Sequence, residues 1–218
     1  MNNLIELKDI TFSFPGVERP LFDDLNFEIK KGESIGIVGT NGTGKSTLMK
    51  ILATLVRPNK GEYFYKNELL NKNLEQARCS MNYVVGGSLG FYPRLNAVEN
   101  LKFFSGLKGD MVSTQEAVSI LNKVQLKEND FSKKCFQYSL GMKQRLHIAK
   151  LFLGNPEVLF IDEPTNGLDA EGQTLLLKLL NEDLGNLTKV IISHDSDFLR
   201  SITKHTLRIN NGKIINEN

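Results

Sequence analysis

Hydrophobic and polar positions alternate in short runs at both ends of the chain and follow a longer period in its middle. Ile5 to Phe14 and Phe22 to Ile29 are rich in β-branched and aromatic residues, and Leu25, Phe27 and Ile29 alternate with polar neighbours. A period of two predicts two strands, joined by the turn formers Pro15, Gly16 and Pro20. Ser34 to Val38 is a short apolar strand running into a glycine cluster, and Lys45 to Leu55 has helical character. Pro58 and Gly61 close that unit before two further strand-like runs, Glu62 to Tyr65 and Tyr83 to Val85.

From about Gly87 to Gly154 the pattern predicts mainly helix and no strand. Asn96 with Glu99, and Ser113 with Glu116, have the three-residue spacing of capping boxes at helix starts. A helix over Gly141 to Leu153 would carry Met142, Leu146, Ala149 and Leu153 on one packed face. After Pro156 strands and helices alternate again: a buried strand at Val158 to Ile161, a helix from about Gly172, a strand at Val190 to Ser193 and a helix from about Asp195. The chain then reads as a hairpin, Thr206 to Ile209 and Lys213 to Ile215, about an Asn211-Gly212 turn. Strands separated by helices argue for an α/β fold with a mostly parallel sheet. The helical middle is then an insertion in a single domain, with 1–86 and 155–218 forming the α/β core and 87–154 a helical subdomain.

Composition narrows the class. The 218 residues are 40% hydrophobic and 24% charged, which excludes a disordered or collagen-like chain. Lysines and arginines number 27 against 25 acids, a net charge of +2, and nothing in that balance predicts a nucleic-acid partner. Glu6 and Asp9 interrupt the amino-terminal apolar run, so it does not resemble a signal peptide, and no apolar stretch is long enough to span a bilayer. Cys79 and Cys135 could form one disulfide at most, and reduced thiols in a cytosolic protein are expected.

Chemistry enters at the glycine cluster. Gly39-Thr40-Asn41-Gly42-Thr43-Gly44-Lys45-Ser46 matches the phosphate-binding loop G-x-x-x-x-G-K-[ST], followed by Thr47, between a predicted strand and a predicted helix. Its glycines let backbone N–H groups wrap a triphosphate at a helix N-terminus. Lys45 would reach the β/γ oxygens and the Ser46 hydroxyl would ligate Mg²⁺. A second strand should bring a carboxylate to that metal, and Val158–Ile161 ends in Asp162 and Glu163. Neighbours on an extended segment face opposite ways. Asp162 fits the metal side, and Glu163 fits a general base or positioner of the attacking water. His194, just past another core strand, is expected at the same carboxyl edge of the sheet, near the γ-phosphate.

Tyr138-Ser139-Leu140-Gly141-Met142-Lys143-Gln144-Arg145 resembles the signature motif of ABC (ATP-binding cassette) ATPases, LSGGQ followed by a basic-Gln-Arg run. Glu163-Pro164-Thr165-Asn166-Gly167-Leu168-Asp169 is similar to that family's Walker B exit and D-loop, and His194 to its switch histidine. The motifs occur in family order over essentially the whole chain. The resemblance implies a P-loop NTPase core with an antiparallel β portion near the amino terminus, ATP and Mg²⁺ as cofactors, and hydrolysis of ATP. It also implies a head-to-tail dimer, with a second copy or a sister ATPase. Ser139 and Gly141 of one chain would close over the phosphate held by Lys45 of the other, with Asp169 nearby. Phe14 stands where the family usually stacks an aromatic on adenine. Gly86 stands where it usually has a Gln, so water is expected to replace that side chain and coupling to depend on backbone movement.

Gly90 to Leu95 resembles the surface on which such ATPases receive membrane subunits, with Phe91, Tyr92 and Leu95 as its apolar part. The resemblance thus implies a cytoplasmic subunit, peripheral on the inner face of the cell membrane and bound to integral membrane permease subunits. The style of that loop and of the signature is closer to exporters than to importers. A soluble ABC ATPase without a transport role, for example of the iron–sulfur assembly type, is the alternative. A GTPase is disfavoured because Asn59-Lys60-Gly61-Glu62 lacks the closing Asp of N-K-x-D.

Overall fold

A computed structural model describes residues 3–87, 90–210 and 212–217. In chain order the first elements are β1 (Asn3–Phe12), β2 (Phe22–Lys30), β3 (Ser34–Val38), α1 (Lys45–Leu52), β4 (Lys60–Tyr65) and β5 (Glu68–Leu69). Next come α2 (Leu70–Cys79), β6 (Met81–Val85), α3 (Ala97–Gly106), α4 (Thr114–Lys123) and α5 (Leu140–Ala149). The last are β7 (Val158–Asp162), α6 (Ala170–Asn181), β8 (Thr188–Ile192), α7 (Ser196–Ile202), β9 (His205–Asn210) and β10 (Lys213–Glu217).

The strands sort into two sheets, one antiparallel in the order β2-β1-β4-β5 and one in the order β10-β9-β3-β8-β7-β6. In the second, β9, β3, β8, β7 and β6 run parallel and β10 closes the edge antiparallel to β9. Strand β7 shows why the sequence there is apolar without interruption. Val158 and Phe160 pack toward the antiparallel sheet and α1, while Leu159 and Ile161 pack toward the helices on the other face. A strand covered on both faces has no polar side to alternate with. Burying each such side chain contributes about 1.5–3 kcal/mol relative to exposure.

Caps set the helix boundaries. Both expected capping boxes form: Asn96 Oδ1 accepts from Glu99 N–H at 2.8 Å, and Ser113 Oγ from Glu116 N–H at 3.1 Å. Helix α1 stops at Leu52, short of the expected Leu55. Thr54 turns left-handed at φ 60°, and Leu55 N–H returns to Lys50 O at 2.8 Å, as in a Schellman end. The expected helix to Leu153 breaks into α5 and a 3₁₀ turn at Lys150–Phe152. Asn82 Nδ2 explains the break, since it takes the carbonyls of Lys150, Leu151 and Leu153 at 3.3, 3.1 and 2.9 Å. Leu146, Ala149 and Leu153 are still buried, and Met142 is partly so.

Helix α2 has no counterpart in the sequence reading. Only Ala77 is buried on it, and a non-helical Asn73 kinks it, so no apolar stripe marks it. Among the described residues between Gly90 and Gly154 no strand occurs, only a single bridge between Asn96 and Lys134. The β9–β10 hairpin pairs Lys213 with Asn210, with Gly212 at φ 73°; Asn211 of the expected turn lies outside the described residues. Cys79 and Cys135 are both free thiols. No helix among the described residues is long and apolar enough to cross a membrane.

Candidate functional site

The carboxyl ends of β3, β8 and β7 lie side by side, and the loops leaving them meet in a cleft of about 340 Å³. From the glycine loop and α1 come Asn41, Gly42, Gly44, Lys45, Ser46 and Thr47; from the strand ends come Asp162, Glu163 and His194. Phe14 forms one wall. Crevices outside the carboxyl ends of parallel strands are where α/β folds bind ligands.

The loop's shape follows from its glycines, above all Gly44. It caps α1 in a left-handed conformation at φ 101°, and a Cβ there would lie 2.9 Å from the Phe22 ring and 3.1 Å from Leu21. Among the described residues no side chain caps α1, so its first N–H groups are left for an anion. Lys45 is buried, and its Nζ donates to Gly39 O at 2.7 Å and Thr40 O at 3.0 Å. Thr43 Oγ1 donates to Thr40 O at 2.9 Å and closes the turn. The ammonium thus rests on two main-chain carbonyls, and a phosphate oxygen could replace either acceptor.

Across the cleft, Asp162 is buried and Glu163 half-buried. Glu163 takes φ 52°, a left-handed conformation that is unfavourable for a side-chain-bearing residue and is held by its neighbours. Its N–H donates to Ile192 O at 2.8 Å. Its carboxylate meets His194 twice: Oε2 accepts the His194 main-chain N–H at 3.3 Å, and Oε1 lies 3.3 Å from Nε2. The fold therefore brings the acid and the histidine together, as their strand-end positions predict. Tyr83, on β6, donates its phenolic proton to Asp162 Oδ2 at 3.3 Å. Burial, and then the Asp162 charge, push that phenol well above its ordinary pKa, so it is a donor throughout the neutral range. Buried Asp162 facing exposed Ser46 supplies the hard oxygen set that suits a nucleotide-bound Mg²⁺.

Gly86 corrects the expectation of a solvated gap. A Cβ on this residue would lie 1.7 Å from Glu163 O, so no side chain fits there. Gly86 N–H instead donates to Asp162 O at 2.7 Å, and the two main chains abut. Where the family usually has a Gln, the contact of Gly86 to the end of β7 is made by main chain alone.

Three of the expected site residues stand apart from the cleft. Ser139 caps α5, its Oγ accepting from Met142 N–H at 3.3 Å, and is exposed; Gly141 lies in the first turn of that helix. Asp169 caps α6, its Oδ1 accepting from Gly172 N–H at 2.7 Å. Phe14, by contrast, walls the cleft from beyond the end of β1, half exposed and edge-on to Phe12 with ring centroids 5.1 Å apart.

The loop after β6 divides. Phe91 turns inward beneath Lys150, whose Nζ is 4.2 Å from its centroid and 4.1 Å from that of Phe104. Burial lowers the Lys150 pKa to about 8. Tyr92 is exposed and stacks edge-on against Phe103 at 4.4 Å. Phe136, which no periodicity marks, stands exposed over a groove it shares with Gly90, Phe91, Pro93 and Lys143. His147 ties this region to α5, its Nε2 lying 2.9 Å from Val85 O. Burial, and then the Lys150 charge, lower its pKa to about 4, so it is neutral and donates from Nε2.

A glycine-rich loop opening a helix, with two consecutive acids at the end of a neighbouring parallel strand, places the chain among the P-loop nucleoside triphosphatases. The sequence profile described as "ABC transporter" matches residues 22–166. The chain is 37% identical to the methionine import ATP-binding protein of Oceanobacillus iheyensis, over 97% of its own length and 65% of that protein's. It is 32% identical to the bacitracin transport ATP-binding protein of Bacillus licheniformis, over 100% of its own length and 70% of that protein's. A solved ATP-binding cassette, dimeric and in a post-hydrolysis state with ADP and phosphate, superposes with a TM-score of 0.81 at 29% identity, covering 98% of this chain and 97% of that one. The chain belongs to the ABC transporter family, as an ATP-binding, ATP-hydrolysing cassette.

Proposed function

We propose that this chain is the nucleotide-binding subunit of a transporter whose permease is a separate integral membrane chain, and that it works as a head-to-tail dimer. The observation that carries the reading is the split of its motifs. Lys45, Ser46, Asp162, Glu163 and His194 share one cleft, while Ser139 and Gly141 stand outside it on an exposed helix start. An ABC signature that cannot reach its own nucleotide has a use only at a partner's.

In the proposed mechanism Phe14 stacks on the base, and residues 39–44 wrap the phosphates with main-chain N–H groups. Thr47 lies in the first turn behind them. Lys45 leaves the carbonyls of Gly39 and Thr40 for the β/γ oxygens. Ser46 and Asp162 would hold Mg²⁺, which supplies charge neutralisation at those oxygens when bound. Glu163 orients the attacking water and takes its proton, and His194 steadies the Glu163 carboxylate beside the γ-phosphate. Ser139, Gly141 and Asp169 of the second chain close the site, so hydrolysis reopens the dimer. The second chain is either another copy of this one or a sister ATPase. The 87–154 region acts as the helical subdomain on a core of 1–86 and 155–218.

Exposed Tyr92 and Phe136, with Leu95 half-buried beside them, form the surface for the permease, on the cytoplasmic face of the membrane. We assign the direction as export from the loop and signature style; named relatives include both import and export proteins. Affinity capture from solubilised membranes with this chain as bait tests the assignment. Recovery of a polytopic permease is expected. Reproducible absence of any integral membrane protein would favour a soluble ATPase instead.

A further inference from the structure

Strand β6 runs parallel to β7 with Tyr83 opposite Phe160 and Val85 opposite Asp162. Along it, Asn82 and Val84 are buried, and Asn82 holds the carbonyls after α5. Tyr83 takes the opposite face and packs against the core that contains α1. That geometry sends its hydroxyl two residues along the sheet, to 3.3 Å from Asp162 Oδ2. Asp162 is buried, and among the described residues the Tyr83 hydroxyl is the one side-chain partner of its carboxylate. A buried carboxylate without a donor is strongly disfavoured. At the other end of the residue, Gly86 N–H holds Asp162 O at 2.7 Å. One strand thus grips the aspartate by both its side chain and its main chain.

We propose that Tyr83 is a positioning residue for the metal-side carboxylate: by holding Oδ2 it turns Oδ1 toward Ser46 and sets how strongly the site takes a divalent cation with its nucleotide. This rests on the reading of Asp162 given above. Ligand-orienting partners of this kind are worth about 10–100-fold in metal affinity. The separation of 3.3 Å is long for an O–H···O bond.

The test is the affinity of a fluorescent ATP analogue with Mg²⁺ and with EDTA, read for wild type and Tyr83→Phe. The ring is retained, so packing against α1 should survive. The expected result is an unchanged affinity in EDTA and a Mg²⁺-dependent gain reduced ~10-fold. The Mn²⁺ electron paramagnetic resonance spectrum of the nucleotide complex should show a matching rise in free Mn²⁺. Asp162→Asn supplies the control. In that background Tyr83→Phe should change nothing further, whereas an equal loss in both backgrounds would assign Tyr83 to packing alone and overturn the proposal. An unaltered Mg²⁺-dependent gain in Tyr83→Phe would overturn it as well. A wild type with no Mg²⁺-dependent gain would instead remove the reading of Asp162 itself.

Discussion

Helices α1 and α5 begin in opposite circumstances. The first turn of α1 faces a cleft with two acids and a histidine, and among the described residues no side chain caps it. The first turn of α5 is capped by its own Ser139, faces outward, and has Leu140 63% exposed beside it. Both are helix starts of the kind that suits anions, yet only α1 opens onto the cleft that holds Asp162, Glu163 and His194. On the proposed reading a single chain holds one phosphate cradle and one unmatched half, and this contrast is what the pairing of two chains would resolve.

The largest expected effect probes the α1 side. Glu163→Gln keeps the shape of the side chain but removes the base, so ATP turnover should fall by about 10²–10⁴-fold. It should also accumulate an ATP-bound dimer on size-exclusion chromatography. Wild-type turnover in a species that stays monomeric with ATP would count against both the base and the pairing.

Gly86→Gln comes next. With Glu163 O at 1.7 Å from any Cβ, the glutamine must push β6 off β7. Overpacking of this kind costs about 1–3 kcal/mol, so the melting temperature should drop together with turnover. A variant of wild-type stability and rate would show that the strand ends part freely, and the tight main-chain contact would lose its meaning.

His147 joins α5 to β6 through Val85 O, and its protonation would keep that bond but place a charge in a buried site beside Lys150. Its pKa is about 4 when folded and near 6.5 when exposed, so the unfolded chain binds a proton first. Stability should then fall as pH drops from about 6.5 toward 4, by up to ~1.4 kcal/mol per pH unit. His147→Gln should flatten that slope in denaturant titrations; an identical slope would assign the acid sensitivity elsewhere.

The smallest effects concern the rims. Ser139→Ala should cost about 1 kcal/mol of stability by loss of the cap, and it should lower turnover by far more than that loss explains. Phe14→Ala should weaken ATP binding by ~0.5–1.5 kcal/mol, with Phe14→Tyr neutral, as read by titration calorimetry. Equal binding by the alanine variant would remove Phe14 from the site.

Much of this was legible in the sequence, for physical reasons that differ by element. β7 could be read because a strand buried on both faces must be apolar throughout, and the phosphate loop because only glycines tolerate its turns. The capping boxes at Asn96 and Ser113 were legible because they are local. α2 was not, since it buries only Ala77. The end of α5 depends on Asn82, far away in sequence, so helical period alone overran it. Tyr83 looked like any strand aromatic, and its meeting with Asp162 depends on strand order, which no spacing encodes. Gly86 was legible as a missing side chain, but the reason no side chain fits lies in Glu163.

The central claim, that hydrolysis needs two chains, is tested most directly by the specific ATPase rate as protein concentration is lowered with ATP and Mg²⁺ saturating. The account predicts that the rate per chain falls toward zero as dimers dissociate, and that adding Lys45→Ala chains, which bring an intact Ser139 helix, partly restores it. A rate per chain that holds constant down to the most dilute solution would contradict it.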